Sequence, residues 1–390
     1  MKGKTLYFVL AYSLIATLIL SASTPLLAQT QGEVEGIKHR VEALEAKVSQ
    51  MQEQLLNITD PTMPLNINVN CNAGEAVSDA LAMGQSTIRP LFIHIEGVCE
   101  ESVFIGRDNV NLGGMSREDG IQAPNYGGFA VTIYGASMVR LGNLTISGGG
   151  IASLGGASYE ANGITVEGAY IALSADKGAY GILRNVTIQN SSWGVYATSA
   201  AHLIVIDSQI NGNDWGVNAS GGGTLKVEGS TIEDNQRGAR VTDGGVLSIQ
   251  NSVIQNSTGI GLLIENNGTV VAANGTSIKH NNQGGLGQSG VKLNFAGALR
   301  LFESTVEDNI GHGIVADVGS VVEFWSGSVV RNNSGSGVFL ADASMVGGGG
   351  QIMDNDEWGV FCADTSSRIA GYGSPELEIG SNGEGITNCQ

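Results

Sequence analysis

The sequence predicts an all-β fold in which one chain winds as a single coil into a parallel β-helix, a solenoid of about 22 residues per rung. Three observations carry this. From Leu183 to Tyr372 one frame recurs: a β-branched residue, a polar residue three positions later, then Gly followed by an apolar residue. The polar position runs Ser191, Asn213, Asn235, Ser257, Asn281, Asn309, Asn333, Asn355, Asn382, in steps of 22 to 28 residues. Within each period the apolar residues form short runs, such as Val186–Ile188 and Leu203–Ile206, broken by Gly, Asn, Ser and Asp; that is strand and turn, without helical spacing. The composition agrees, with 58 Gly, 6 Pro and 14% charged residues, where an ordinary domain has roughly 25% charged. Rungs stacked at about 4.8 Å place like residues in columns. The Ile/Val column then fills the core, and the Asn column sits at a turn where its amides bond up and down the stack.

The chain opens with Lys2 and Lys4, an apolar run from Leu6 to Leu20 and then small residues. Residues 1–28 read as a secretory signal peptide, cleaved after Ser23 or Ala28, since the run is short for a membrane span. No Cys follows it, which argues against a lipid anchor. The protein is therefore expected to be exported, to the periplasm, the medium or the cell surface. The formal net charge of −18 becomes −20 once Lys2 and Lys4 leave. Such a chain is a poor partner for nucleic acid or anionic lipid, and a calcium ion is the one cofactor to consider. Four cysteines in an exported chain read as two disulfides. Three connectivities exist; position favours Cys71 with Cys99 and Cys362 with Cys389, one pair at each end of the solenoid.

Residues 32–59 change character. Val34, Val41, Val48 and Leu55 alternate in 3,4 spacing with Ile37, Leu44, Met51 and Ile58, the a and d positions of a coiled coil. In a parallel assembly Glu33 would face Lys38, and Arg40 would face Glu45. Parallel dimer and trimer both remain open, as does an amphipathic helix packed on its own domain. Residues 60–64, with Pro61 and Pro64, form a linker.

The β-helix domain spans 65–390. It starts with a strand and a short amphipathic helix, Glu75 to Met83, whose Val77, Ala80 and Leu81 are apolar. An open solenoid end exposes core and unpaired edges, so this helix is expected to be the N-terminal cap. Two stretches interrupt the rungs, MSREDGIQAPNYGG after Gly114 and NQGGLGQSGVKLN after Asn282, and these read as surface loops.

Cys71, Gly74-Glu75, the short helix, Ile93-His94-Ile95, Cys99-Glu100 and then Arg107-Asp108-Asn109-Val110-Asn111-Leu112-Gly113-Gly114 resemble the N-terminus of secreted bacterial right-handed parallel β-helix proteins of the pectate-lyase-like superfamily. The resemblance covers Leu65 to Gln390 and implies right-handed winding. It does not fix an activity, because that superfamily includes lyases, hydrolases, epimerases, tailspikes and adhesins. Its polysaccharide hydrolases carry N-x-D, D-D, G-H-G and R-x-K motifs, of which this chain has only Gly311-His312-Gly313. Its pectate lyases need a carboxylate cluster for calcium, which takes six to eight oxygens, and an Arg as base.

Two columns are candidates for function. The residue before the frame Gly is Trp193, Trp215, Arg237, Ile260, Gln283, His312, Ser336 and Trp358. Aromatic faces with an Arg suit sugar rings and acidic substituents, so Trp193, Trp215, Arg237 and Trp358 are the carbohydrate-binding candidates. The residue before the Asn/Ser position includes Asp234, His280, Asp308 and Asp354. Asp308 and Asp354, two rungs or about 10 Å apart, lie slightly beyond the carboxylate spacing of an inverting glycosidase. With His312 and Arg331 they are the catalytic candidates. The sequence thus supports an exported, oligomeric β-helix that binds polysaccharide along one face, against two alternatives: a lyase or glycoside hydrolase on the same scaffold, and a structural or adhesive surface protein.

Overall fold

The computed structural model describes residues 63–389 apart from 86, 126, 286–288 and 371–376, together with Lys38, Val41, Glu42 and Leu44–Ser49. The latter positions are helical. The signal segment, most of the heptad segment and the first residues of the linker lie outside the described residues, and the coiled coil is not shown.

From Leu65 onward the described residues coil through three parallel sheets of 14, 13 and 13 strands. One rung is enough to define them: Tyr180–Arg184 lies in sheet A, Thr187–Gln189 in sheet B and Trp193–Ala197 in sheet C. The strands pair in parallel with their equivalents one rung on, at an offset of 22 through the middle rungs. The apolar column of sheet B runs Ile188, Ile210, Ile232, Ile254, Ile278, Val306, Val330 and Ile352, all fully buried. β-Branched side chains suit such a stack because their stiff rotamers pack on identical neighbours.

The corners explain the polar part of the repeat. Between sheets B and C the first corner residue has positive φ on rung after rung, at Asn190, Gly212, Asp234, Asn256, His280, Asp308, Asn332 and Asp354. Asn, Asp and Gly are the residues that enter the left-handed region most readily. The next residue is the buried Asn or Ser, and the Asn side chains form a ladder. Asn281 donates its backbone N–H and its Nδ2 to Oδ1 of Asn309, which does the same to Asn333, and Asn333 to Asn355. A second ladder, not anticipated from sequence, lines the corner between sheets A and B: Ser208 N–H donates to Ser230 Oγ and Ser230 N–H to Ser252 Oγ, both at 3.1 Å.

The frame Gly is now accounted for by close approach. A Cβ on Gly261 would meet Asn281 Cγ at 2.6 Å, and one on Gly290 would meet Asn309 Cγ at 2.5 Å, so the Asn of the following rung occupies the space. This places the frame Gly of the irregular rung at Gly290. The sequence frame had taken Gln283 and Gly284; instead the chain makes a longer corner and resumes as Ser289–Leu293, with Ser289 opposite His312. The first inserted stretch is likewise not all loop, since Gly120–Gln122 is a sheet B strand between Val98–Glu100 and Thr145–Ser147. Asp119 orders the excursion before it by accepting from Gly97 N–H at 2.6 Å and from Ser116 N–H.

The N-terminal end is closed by the helix Val77–Gly84, whose Val77, Ala80 and Leu81 join the core under Leu91 and Ile93. Glu101 caps its start, accepting from Val77 N–H at 2.6 Å and Ser78 N–H at 3.1 Å, where the helix dipole favours a carboxylate. Arg107 donates to the Gly84 carbonyl at its end and to the Arg89 carbonyl at 2.6 Å. Cys71–Cys99 ties this cap, and Cys362–Cys389 the last rungs, as position had favoured. Two disulfides fit an oxidising, extracytoplasmic compartment.

Candidate functional site

Sheet C carries the aromatic column. Trp193 pairs with Trp215 and Trp215 with Arg237 in strand register, so the 22-residue step places them on consecutive rungs. The indoles are parallel within 6°, with centroids 5.7 Å apart. Arg237 Cζ lies 4.9 Å from the Trp215 centroid on the following rung, and Arg240 Cζ lies 5.8 Å from it. Trp215 therefore has an indole on one side and guanidinium on the other, and its faces are spent inside the protein. Trp193 has Trp215 on one side only, and its edge-on contact with Tyr196, at 5.8 Å, turns it toward a neighbouring column.

That neighbouring column is Tyr196, Asn218 and Arg240, also in register, two residues after the frame Gly. Together the columns line a cleft of about 310 Å³ formed by Tyr170, Ile171, Trp193, Tyr196, Asn218, Ser220, Arg240, Thr242 and Asp243. It runs along four rungs, or about 14 Å at the usual strand spacing. Tyr196 Oη accepts from Ser220 Oγ at 3.0 Å. Arg240 Nε donates to Glu265 Oε1 at 2.9 Å in a half-buried ion pair. Asp243 accepts from Asn266 Nδ2 at 3.2 Å. Asn218 is only 2% exposed, and its Oδ1 is buried without a hydrogen-bond partner. A buried, unpaired amide oxygen is costly and calls for an explanation. An aromatic wall beside fixed polar groups is the make-up of a small-molecule site.

The sequence had pointed to Trp193, Trp215, Arg237 and Trp358. Of these, Trp193 lines the cleft, Trp215 and Arg237 stack behind it, and Trp358 stands several rungs away among Phe361, Phe339 and His312. Tyr196, Asn218 and Arg240 were not singled out. Their signal was present: they share the same 22-residue step, on strands that read Trp-Gly-Val-Tyr-Ala, Trp-Gly-Val-Asn-Ala and Arg-Gly-Ala-Arg-Val.

The four catalytic candidates stand in separate contacts. Asp308 and Asp354 occupy the positive-φ corner position, with φ of 56° and 54°. Asp308 lies 3.8 Å from His280, and Asp354 accepts from Ser381 Oγ at 2.6 Å. Arg331 ends a sheet B strand and clasps Glu307 through Nε at 2.9 Å and a second nitrogen at 2.8 Å. Burial alone would raise the Glu307 carboxyl. The Arg331 hydrogen bond and charge, with the Thr305 and Ser277 hydroxyls, outweigh it and hold the group below its ordinary value. His312 stacks on Phe339 at 4.9 Å, and its Nδ1 accepts from Ser336 N–H at 2.9 Å. Burial pushes its pKa down, with Glu357, 3.7 Å away, acting in the opposite direction. Each group is thus held by a neighbour outside the set. Among the described residues no three His, Cys, Asp or Glu side chains gather where they would hold a metal.

Comparison with solved structures gives a mannuronan C-5 epimerase A-module, AlgE6 of Azotobacter vinelandii, at 14% identity over 81% of this chain and 94% of that one, with a TM-score of 0.52. The periplasmic alginate epimerase AlgG is similar at 14% identity over 88% of this chain and 85% of that one, with a TM-score of 0.51. At such identity the likeness is one of fold. No curated protein matches the sequence. The family profile described as right handed beta helix region matches residues 129–286 and 215–373. These matches overlap and take in more than half of the chain, and the protein belongs to the right-handed β-helix family.

Proposed function

We propose that the protein binds polysaccharide along sheet C, with a glycan segment lying in the cleft between Trp193 and Asp243. The observation that carries this reading is the cleft itself, which sets one indole and two phenols beside an unpaired amide, two aliphatic hydroxyls and a guanidinium over four rungs. Trp193 and Tyr196 are the sugar-contacting aromatics in this reading. Trp215 and Arg237 hold Trp193 in place from behind. The heptads at 32–59, by assembling two or three copies in parallel, would add avidity to weak single-site binding.

A second reading is a carbohydrate-active enzyme on the same scaffold. It is supported by the fold likeness to two enzymes named for epimerising mannuronan and alginate, and the comparisons favour it over a pure binder. The side chains of the cleft favour binding, since its lining holds one carboxylate and no histidine. Incubation with a polysaccharide panel separates the readings when retention and product are measured together. Retention that Trp193→Ala abolishes, without change in the glycan, supports the binder. Turnover of a glycan by the wild-type protein gives the second reading, and neither retention nor turnover overturns both in favour of a structural role.

A further inference from the structure

We infer that the cleft is built for a neutral glycan, one whose hydroxyls donate hydrogen bonds, and not for a uronate or sulfated chain. The inference rests on the binding reading above and concerns the chemistry of that same site. Its first ground is charge. Arg240 is the only cation lining the cleft, and Glu265 engages it at 2.9 Å, so its positive charge is already matched. Asp243 is exposed, and apart from Arg240 nothing cationic stands among the described lining residues. Arg237 lies outside the lining, against Trp215. An anionic sugar entering here meets a local surplus of negative charge, on a chain whose formal charge is −18.

The second ground is hydrogen-bond sense. Asn218 presents an acceptor without a donor, Oδ1, in a side chain 98% removed from solvent by its 2% exposure. Asp243 is a second acceptor. Carboxylates and sulfates bring acceptors only, so on an anionic sugar the remaining hydroxyls alone can pair this oxygen, whereas a neutral sugar offers a donor at every free hydroxyl. Tyr196, whose hydroxyl accepts from Ser220, and Asn218 line the same cleft, and in this proposal a sugar hydroxyl donates to the Asn218 oxygen. A ligand that pairs the orphaned amide recovers the cost of leaving it unmade, and one that cannot does not.

The test is affinity electrophoresis and calorimetry of the full-length mature protein with dextran, soluble starch, galactomannan and xyloglucan on one side, and alginate, polygalacturonate and heparin on the other. Retention by at least one neutral glycan is expected, about tenfold weaker in Asn218→Ala, the scale of one lost hydrogen bond. Because Asn218 is buried, the second variant is Glu265→Gln, which frees the Arg240 charge and is expected to gain retention on the anionic glycans. Wild-type retention on the anionic glycans equal to or stronger than on the neutral ones overturns the inference and leaves the binding reading standing. Neutral retention that Asn218→Ala leaves unchanged in a folded variant also overturns it. Absence of retention on every glycan removes the binding reading itself.

Discussion

Asn309 meets one oxygen of Asn333 twice: its backbone N–H donates to Oδ1 at 3.1 Å and its Nδ2 donates to the same atom at 3.0 Å. Its Nδ2 also reaches the Ile278 carbonyl at 3.1 Å, while its Oδ1 receives Asn281 in the same double fashion. One side chain therefore satisfies backbone and side-chain groups on neighbouring rungs, at 1% exposure. Asn309→Leu keeps the branching of the side chain, adds bulk, and removes the bonds made by Oδ1 and Nδ2, while the backbone N–H to Asn333 stays. The Asn281 N–H is then buried without its acceptor, so a loss of about 3 kcal/mol is expected by urea denaturation. Asn211→Leu, on the outer face of sheet B, is the control and is expected to cost less than about 0.5 kcal/mol. Equal effects would mean that the ladder follows the fold without holding it.

The register of the irregular rung has its own test. Gly290 faces Asn309 with no room for a Cβ, whereas Gly284, which the bare repeat would place in frame, is exposed in the corner. Gly290→Ala is expected to destabilise the protein by about 2 kcal/mol or more, as overpacking of a filled site does. Gly284→Ala should be close to neutral. A reversed order would return the frame to Gly284.

His312 makes stability depend on pH. Its folded pKa is lowered by burial, with Glu357 partly offsetting, and Ser336 N–H donates to Nδ1 only while that nitrogen carries no proton. The unfolded chain then binds the proton more readily than the folded one, so stability rises with pH in this window. The contribution is full above the unfolded value of about 6.5 and is lost as pH falls through it toward the lower folded value. Thermal melts at pH 7.5 and pH 5 should therefore show a smaller acid-induced drop for His312→Gln than for the wild type. An identical drop in the two proteins would place the pH dependence elsewhere.

Why the fold was legible and the site only partly so follows from what each requires. The solenoid repeats its demands at every rung: a β-branched core residue such as Ile232, a left-handed corner at Asp234, an amide at Asn235 and a bare Gly238. Nine repetitions make such demands visible. The cleft is made once, from four rungs, so Tyr196, Asn218 and Arg240 read as variation within the repeat. The Trp193–Trp215–Arg237 column was found because three adjacent rungs share one step, yet which indole faces outward depends on what lies on each side of it. The acidic column has a backbone account of its own. Asp234, Asp308 and Asp354 alternate along the stack with Asn190, Gly212, Asn256 and Asn332, which is the residue set of a positive-φ corner.

The ladder also contains a gap at Ser257. Ser257 N–H donates to Asn281 Oδ1 at 3.1 Å, but the Ser257 hydroxyl is buried with no partner. The side chain is too short to do for Asn235 what Asn235 does for Asn213, whose N–H it receives at 2.8 Å and whose Nδ2 it receives at 3.0 Å. Space for a longer one exists by analogy with the next rung. Asn281 fills the place a Cβ on Gly261 would take, and the atoms nearest the equivalent place on Gly238 belong to Gly261 and Ile254, not to Ser257. In Ser257→Asn the new Oδ1 comes within reach of the Asn235 N–H and amide, and the new Nδ2 within reach of Asn281 Oδ1. Two or more hydrogen bonds replace one orphaned hydroxyl, against the cost of ordering a longer side chain. A gain of about 1 kcal/mol is expected in the denaturation midpoint at unchanged slope. A midpoint that falls would show that the corner at Ser257 has closed around the smaller residue, and that the ladder's bonds are worth less there than the packing an Asn would disturb.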